Sequence, residues 1–265
     1  MPTFKLTIEY DGTGYAGWQR QPDQPTVQAA IETVIQQVAQ QHIPVIGAGR
    51  TDAGVHALGQ VASFRTEKEL EPRKLLRALN GLLPPDISVR SVEPAADDFH
   101  ARYSARAKLY EYRILNQPEP SALNRNRAWH LYGPLNLVAM HEAAGLLVGR
   151  HDFSSFQGHP TDTDSPICDL QRLEIHQDTA PSPLPLPLGG RGEGKGHFAH
   201  ALIRIEAQAD RFLKQMVRAM VGTLVEVGQG KRPPQSMKDI LAAKDRRSAG
   251  VTAPAQGLYL VRVDY

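Results

Sequence analysis

Apolar and polar residues alternate along the first stretch of the chain. Between residues 3 and 10, one side carries Phe4, Leu6, Ile8 and Tyr10. A period of two predicts a half-buried β-strand. After Thr26 the period changes, because apolar residues recur every three or four positions up to Val38. This spacing predicts an amphipathic helix that begins behind an N-capping threonine.

The remaining pattern of the first half predicts three more strands and a second helix. The helix covers residues 71–83, with Pro72 in its first turn. The strands cover residues 45–46, 61–64 and 87–92. The resulting order, β-α-β-β-α-β, is that of a ferredoxin-like (RRM-like) fold.

The second half shows a similar succession of patterns without repeating the sequence. Its predicted elements are a strand at 108–115, a helix at 137–148 closed by Gly149, strands at 167–175 and 198–207, helices at 212–227 and 234–243, and a strand at 258–263. We therefore predict an α+β protein with two ferredoxin-like lobes, in domains 1–104 and 105–265. Proline and glycine crowd into residues 180–196, which predicts a flexible insertion within the strand pair.

Composition narrows the class of protein. The chain has 265 residues, 41% of them hydrophobic, a content typical of folded globular domains. It shows no apolar run long enough for a membrane span, no leader-like start and a single cysteine, Cys168. A lone thiol fits a reducing compartment, so we expect a cytoplasmic protein. The net charge of +2 does not by itself predict RNA binding, although basic residues cluster at 102–113, 211–218 and 244–247.

The densest chemistry lies in the glycine-rich stretch GAGRTDAGVHA, residues 47–57. Arg50 and Asp52 are two positions apart, so they point the same way on an extended segment or meet across a tight turn. A neighbouring guanidinium favours the ionised form of a carboxylate, and an ionised Asp52 suits a nucleophile or general base. The alternative is a plain Asx-turn, which is common where aspartate precedes glycine. A catalytic couple of His56 with Asp52 lacks a serine or cysteine nucleophile.

Other possible sites carry less weight. Residues 189–195 match the spacing of a P-loop, but Gly196 replaces the required hydroxyl and a proline run precedes the segment, so we reject nucleotide binding. The histidines show no zinc-ligand spacing, and we predict no metal site. Three aromatic residues allow two interpretations each, packing in the core or stacking on an RNA base: Trp18, Tyr110 and Tyr112.

The chain resembles the TruA family of tRNA pseudouridine synthases over nearly its whole length. The most specific match is RTDAGVHA, residues 50–57. Supporting matches follow in the family's order: YDGT at 10–13 with GWQ at 17–19, YEY at 110–112, DFSSF at 152–156, FL at 212–213 with MVR at 216–218, and APA at 253–255 with GL at 257–258.

The resemblance implies an enzyme that isomerises uridine to pseudouridine in the anticodon stem-loop of tRNA, at RNA positions 38, 39 and 40. It also implies a homodimer with a two-lobed fold, a central cleft, and neither metal nor organic cofactor. Asp52 is then the catalytic aspartate and Arg50 its ion-pair partner. Tyr110 is the ring that contacts the target uracil, and Leu258 forms an apolar wall of the pocket.

Departures from the family pattern and two rival functions complete the picture. Leu109 and Ala219 stand where the family usually has a basic residue and an asparagine, and residues 158–168 and 180–196 are atypical. These departures leave the RNA affinity and the set of target uridines open. The first rival is an RNA-binding module, which has no use for a clamped carboxylate. The second is a nucleoside hydrolase, which normally needs two carboxylates and releases free uracil.

Overall fold

The structure is a computed structural model that describes residues 1–160, 165–179 and 201–265. Contacts within the chain divide it into two compact units. The first unit comprises Met1–Glu111, Gln208–Phe212 and Leu258–Tyr265, and the second comprises Tyr112–Ala207 and Leu213–Gly257. The domain division that the sequence suggests, 1–104 and 105–265, stays a prediction.

The first unit is built on antiparallel strands with two helices. Its complete elements are β1 (Thr3–Tyr10), α1 (Val27–Ala39), β2 (Ile46–Gly47), β3 (His56–Arg65), α2 (Pro72–Leu82), β4 (Ile87–Ala95) and β10 (Leu258–Asp264). Its strands follow the order β4-β1-β3-β10. β1 pairs antiparallel with β3 and β4, β2 pairs antiparallel with β3, and β10 runs parallel to β3. The β-α-β-β-α-β succession predicted for the first half is confirmed.

Local sequence explains where the two helices of this unit begin and which side they bury. The Thr26 hydroxyl caps α1 by accepting a hydrogen bond from the Ala29 N–H at 3.4 Å. Pro72 occupies the first turn of α2, where its missing N–H has no intrahelical partner to lose. Buried apolar side chains then recur at helical spacing: Val27, Ile31, Val34 and Ile35 in α1, and Leu75 and Leu79 in α2.

The second unit combines three helices with a smaller set of strands. Its complete elements are β6 (Trp129–Leu131), α3 (Leu137–Gly145), β7 (Gly149–Asp152), β8 (Ile167–Thr179), α4 (Met216–Gly228) and α5 (Ser236–Ala243). β5 (Ala107–Asn116) and β9 (Ala201–Ala209) each contribute residues to both units. β8 lies between β9 and β7, and β6 runs parallel to β5. Eleven of the thirteen residues of α4 are buried, so this helix is core.

The structure differs from the sequence prediction mainly in the second half. α4 begins at Met216 rather than Phe212, because Gln215 has a φ of +58° and a right-handed helix cannot continue through it. α3 ends at Gly145, whereas Gly149, predicted to close it, begins β7 with a φ of +115°. β6 and β7 are too short to show a period and were not predicted.

The class of fold is confirmed at the level of an α+β protein with mostly antiparallel strands, and five α-helices lie within the described residues. The predicted insertion at 180–196 lies outside those residues. None of the helices in the described part of the chain combines the length and the apolar character that crossing a membrane requires.

Candidate active site

Hydrogen bonds from neighbouring elements fix the glycine-rich loop between β2 and β3. The Gln60 side-chain amide donates to the Gly49 carbonyl at 2.9 Å, and the Trp18 N–H donates to the Thr51 carbonyl at 3.1 Å. The Tyr10 hydroxyl and the Thr51 hydroxyl are hydrogen-bonded at 2.8 Å. The backbone on the N-terminal side of Asp52 is therefore held from three directions.

Asp52 begins a tight turn. The Val55 N–H donates to the Asp52 carbonyl at 3.1 Å, and Gly54, third in the turn, has a φ of +78°. A type II turn requires such a positive φ at its third position, which glycine adopts without strain. The Asp52 side chain is half-buried, whereas Arg50 is exposed. A carboxylate is thus presented at the edge of the loop on a backbone with little freedom.

Two glycines outside the loop allow it to pack this closely. A Cβ on Gly12 would lie 2.0 Å from the Val55 carbonyl oxygen, and one on Gly17 would lie 2.5 Å from the Thr51 carbonyl oxygen. Gly17 also has a φ of +108°. The YDGT and GWQ motifs therefore serve the loop through steric necessity, since any side chain at these glycines would displace it.

His56 links the end of the loop to the turn after β1. Its Nδ1 accepts a hydrogen bond from the Gly12 N–H at 3.0 Å. The Asp11 carboxylate oxygen Oδ1 also lies 3.2 Å from Nδ1. The imidazole also stacks on Tyr259, with 4.7 Å between ring centroids. Nδ1 of His56 is therefore engaged in holding the loop.

Tyr110 lies on β5 in the first unit and is 7% exposed. Its ring meets Phe212 edge-on, with centroids 5.0 Å apart and an interplanar angle of 83°. Burial raises the pKa of the Tyr110 hydroxyl, and the nearby Tyr10 and Asp52 groups raise it further. The structure thus brings Tyr110 and Asp52 into one electrostatic neighbourhood, with the phenol protonated at neutral pH.

The two other aromatic candidates belong to the core. Tyr112 is fully buried, and its hydroxyl donates to the Pro254 carbonyl at 2.7 Å. Trp18 is 2% exposed, and its ring lies so close to Gly47 that a Cβ there would be 2.4 Å from the indole nitrogen. Both rings are therefore used for packing, and neither offers a free face to a base.

Three further residues singled out in the sequence are also buried. Leu258 is 6% exposed and begins β10, next to Tyr259, which is the strand partner of His56. Leu109 and Ala219, the two departures from the family pattern, are 6% and 0% exposed. These two residues therefore contribute to the packing of the core.

Sequence reasoning placed Lys108 in the basic cluster at 102–113 but not in the candidate active site. A Cβ on Gly49 would lie 3.3 Å from the Cε of Lys108, so the lysine stem runs along the loop beside Arg50. Burial lowers the pKa of Lys108, the charge of Arg102 lowers it further, and Asp210 acts in the opposite direction. The available signal was its position two residues before Tyr110, which places both side chains on one face of the strand.

One group of side chains in the second unit has the spacing of metal ligands. Ligand atoms of Glu174, His176 and Glu206 all lie within 4.8 Å of one another. However, Arg172 Nη2 lies 2.7 Å from one Glu206 carboxylate oxygen, and Arg204 Nη1 lies 3.7 Å from the other. Two guanidinium groups already neutralise the charge that would attract a cation, so we interpret the group as an ion-pair cluster.

Comparison with known proteins identifies the family. A family model described as tRNA pseudouridine synthase matches residues 6–104 and 143–265. The chain belongs to the tRNA pseudouridine synthase family. Three proteins named tRNA pseudouridine synthase A are similar to this chain over 100% of its length and 100% of their own. The protein of Thermoanaerobacter sp. (strain X514) is 42% identical over 265 residues, and those of Bartonella tribocorum and Rhodospirillum centenum are 44% identical over 268 and 266 residues.

Membership of the tRNA pseudouridine synthase family makes the protein an isomerase that modifies RNA in tRNA processing. The family model covers the loop with Arg50 and Asp52 and also Leu258, whereas Tyr110 falls between the two matched ranges. The full-length relatives extend the similarity over that interval too.

Proposed function

We propose that this protein converts uridine to pseudouridine at positions 38, 39 and 40 of the tRNA anticodon stem-loop, with Asp52 as the catalytic carboxylate. One observation carries the proposal. Asp52 is half-buried at the start of a hydrogen-bonded turn, and its carboxylate is near enough to the buried Tyr110 to raise the pKa of the tyrosine hydroxyl. Family membership supports the reaction, and this geometry supports the assignment of residues to it.

The reaction exchanges one bond for another within a single nucleotide. The C1′–N1 bond breaks, the uracil turns, and a C1′–C5 bond forms. C5 loses its proton and N1 gains one, so the mass of the RNA is unchanged. A stacked base is out of reach of a protein carboxylate, so the nucleotide must first flip out of the stem-loop.

Each candidate residue has a defined part in this scheme. The Asp52 carboxylate either attacks C1′ or removes the C2′ proton to give a glycal. Arg50 pairs with Asp52 and fills the space that the flipped base leaves. Leu258 forms an apolar wall for the uracil. We assign Tyr110 the ring contact that keeps the detached uracil in place, because it lies near enough to Asp52 for the carboxylate to raise the pKa of its hydroxyl.

The proposal also covers the oligomeric state, the cellular location, the cofactor requirement and the domain organisation. The enzyme acts as a homodimer in the cytoplasm and uses neither metal nor organic cofactor. Its chain forms two ferredoxin-like lobes, in domains 1–104 and 105–265. The strand order β4-β1-β3, with β2 antiparallel to β3, supports this description for the first lobe.

Tritium release from tRNA labelled at C5 of uridine tests the reaction and the role of Asp52 together. We expect release by the wild type and none by Asp52→Asn, with tRNA binding retained by both. Release of free uracil would indicate a hydrolase instead. No release by either protein, with binding intact, would leave an RNA-binding module. Equal release by both would move the catalytic group away from Asp52.

Two kinds of altered substrate test the target positions and the role of Asp52. Transfer RNAs with uridine at only one of positions 38, 39 and 40 define the target set, since each should be modified. Deuterium at C2′ of the target ribose separates the two roles of Asp52. A primary isotope effect supports proton removal, and its absence supports attack at C1′.

A further inference from the structure

Lys108 carries a positive charge to the edge of the candidate active site. Its side chain is half-buried against Gly49, immediately before Arg50, and points to the same side of β5 as Tyr110. In the part of the chain that the structure describes, its ammonium makes no hydrogen bond or salt bridge, although the charge of the Asp210 carboxylate acts on it. A partly desolvated cation in this position favours an anion, because removing it from water is costly unless it is paired.

A second group of residues extends from Lys108 along the surface of the same unit. The charge of Arg102 acts on Lys108, so the two cations are neighbours. The guanidinium of Arg102 also lies 5.7 Å from the centre of the Tyr103 ring. Tyr103 is 77% exposed, an unusual state for a large aromatic side chain. Two cations and an exposed ring thus lie close together beside the loop.

The backbone holds this group in place. The Ala101 N–H donates to the Ser63 hydroxyl at 3.1 Å, and the Ala101 carbonyl accepts from the Tyr265 hydroxyl at 2.9 Å. The backbone N–H groups of Arg102 and Tyr103 both donate to His100 Nδ1 at 3.2 Å. The His100 ring also stacks on Tyr103, with 4.3 Å between ring centroids. The exposed tyrosine is therefore a supported platform rather than a loose side chain.

We propose that Lys108 and Arg102 bind a backbone phosphate of the RNA strand that enters the active site, and that Tyr103 stacks on an unpaired base of that strand. The inference rests on the proposed function, because it needs an RNA strand that leads to Asp52. The chemistry fits single-stranded RNA: cations contact phosphates, and an exposed aromatic ring stacks on bases of any sequence. This surface adds binding residues to the reaction without adding a chemical step.

The test separates charge from stacking by measuring the Kd of an anticodon stem-loop RNA as a function of salt. For Lys108→Gln we expect weaker binding and a slope of log Kd against log salt reduced by about 0.7, the value of one single-strand phosphate contact. For Tyr103→Ala we expect about tenfold weaker binding with an unchanged slope, whereas Tyr103→Phe keeps the ring and binds like the wild type. Lys74→Gln, which alters an exposed lysine of α2, is the matched control.

Tritium release measured on the same variants distinguishes the two levels of the proposal. A wild type that releases tritium, with Lys108→Gln and Tyr103→Ala indistinguishable from Lys74→Gln in affinity and salt slope, would overturn this surface and leave the proposed function intact. A wild type that neither binds nor modifies the RNA would overturn both. Reduced affinity with a kcat close to that of the wild type supports a binding role.

Discussion

Each unit contains a region where a glycine allows two backbone segments to pack very closely. The two regions differ in where their charged side chains lie and what these side chains contact. The first is the loop between β2 and β3. The second is the segment after α5, residues 245–253, which packs on α4. A Cβ on Gly222 of α4 would lie 1.7 Å from the Val251 carbonyl oxygen, closer even than the corresponding approach at Gly12. Tight glycine packing alone therefore does not distinguish an active site.

The second region uses its charged groups to hold itself together. Glu226 accepts hydrogen bonds from Arg232 Nε at 2.5 Å and from the Val251 N–H at 3.2 Å. Arg246 donates to the Gly250 carbonyl at 2.8 Å and to the Thr252 hydroxyl at 2.7 Å. The charged side chains of this region therefore hydrogen-bond to groups of the same unit, so we interpret the region as structural.

The first region keeps positive charge at its surface instead. Arg50 is exposed, and Lys108 lies half-buried beside it. The hydrogen bonds that hold its backbone come from neutral groups, including the hydroxyls of Tyr10 and Thr51. The two regions therefore differ in where their positive charge lies: on acceptors of its own unit in the second region, and at the surface beside a loop held by neutral groups in the first.

The largest effect should come from a pair of carboxylate variants with opposite consequences. Asp52→Asn should lower kcat/KM by about 10⁴-fold or more, as loss of a catalytic group does, while the free energy of unfolding changes by less than about 1 kcal/mol. Glu226→Gln should lower the free energy of unfolding by about 2 kcal/mol, because it weakens charge-assisted hydrogen bonds, and should leave kcat unchanged. Urea unfolding and tritium release measure both. Similar losses of stability in the two variants would remove the distinction between the regions.

Glycine substitutions sharpen the comparison at the next level. Gly222→Ala and Gly12→Ala should each lower the free energy of unfolding by about 3 kcal/mol, since backbone atoms cannot move away easily. Only Gly12→Ala should also reduce kcat, because it displaces the loop that carries Asp52. Gly14→Ala, where nothing lies within 4 Å of the new Cβ, is the control and should change stability by less than about 0.5 kcal/mol. An unchanged kcat in folded Gly12→Ala would argue against a rigid loop.

The stability of the protein at alkaline pH tests whether buried, uncharged Tyr10 helps to hold the loop. Burial raises the pKa of this tyrosine from 10.0 to about 12, and hydrogen bonds with Thr51 and Gln60 only partly oppose the shift. Below pH 10 the phenol is protonated in both states. Between pH 10 and 12 the unfolded chain loses this proton first, so stability should fall by about 2 to 3 kcal/mol as pH rises.

Tyr10→Phe isolates this contribution, since the other tyrosines cancel in the difference. The variant should be about 1 kcal/mol less stable at neutral pH, because the Thr51 hydrogen bond is lost, and should show a smaller fall between pH 10 and 12. Urea unfolding across that range gives both values. Parallel pH curves for the two proteins would show that Tyr10 ionises normally.

Much of the first unit could be predicted from the sequence because its elements are periodic. The alternation in β1 and the helical spacing after Thr26 correspond to buried faces in the structure. The start of α4 was predicted four residues too early, because the apolar pattern runs on through Phe212 and hydropathy carries no sign of the positive φ at Gln215. Short β6 and β7 offered no pattern to read.

The candidate site was predictable where chemistry and spacing coincide in a few residues. The RTDAG stretch drew attention to Arg50 and Asp52 through its residue types alone. Lys108 was predicted only as a member of a basic cluster, because its position beside the loop comes from a contact with Gly49, which is far away in sequence. Tyr112 belongs to the same motif as Tyr110, but it is a core residue whose hydroxyl donates a hydrogen bond to the Pro254 carbonyl. Only three-dimensional contacts separate the two tyrosines.

The parallel pairing of β10 with β3 has a consequence for how the protein is made. Tyr259 is the partner of His56, although the ribosome adds it about 200 residues later. Because domains fold as units during synthesis, the strand that follows the loop lacks one neighbour until nearly the whole described chain has emerged. A nascent chain that still lacks β10 has an incomplete first unit. The unit that carries the loop with Asp52 is therefore complete only after β10 has been synthesised.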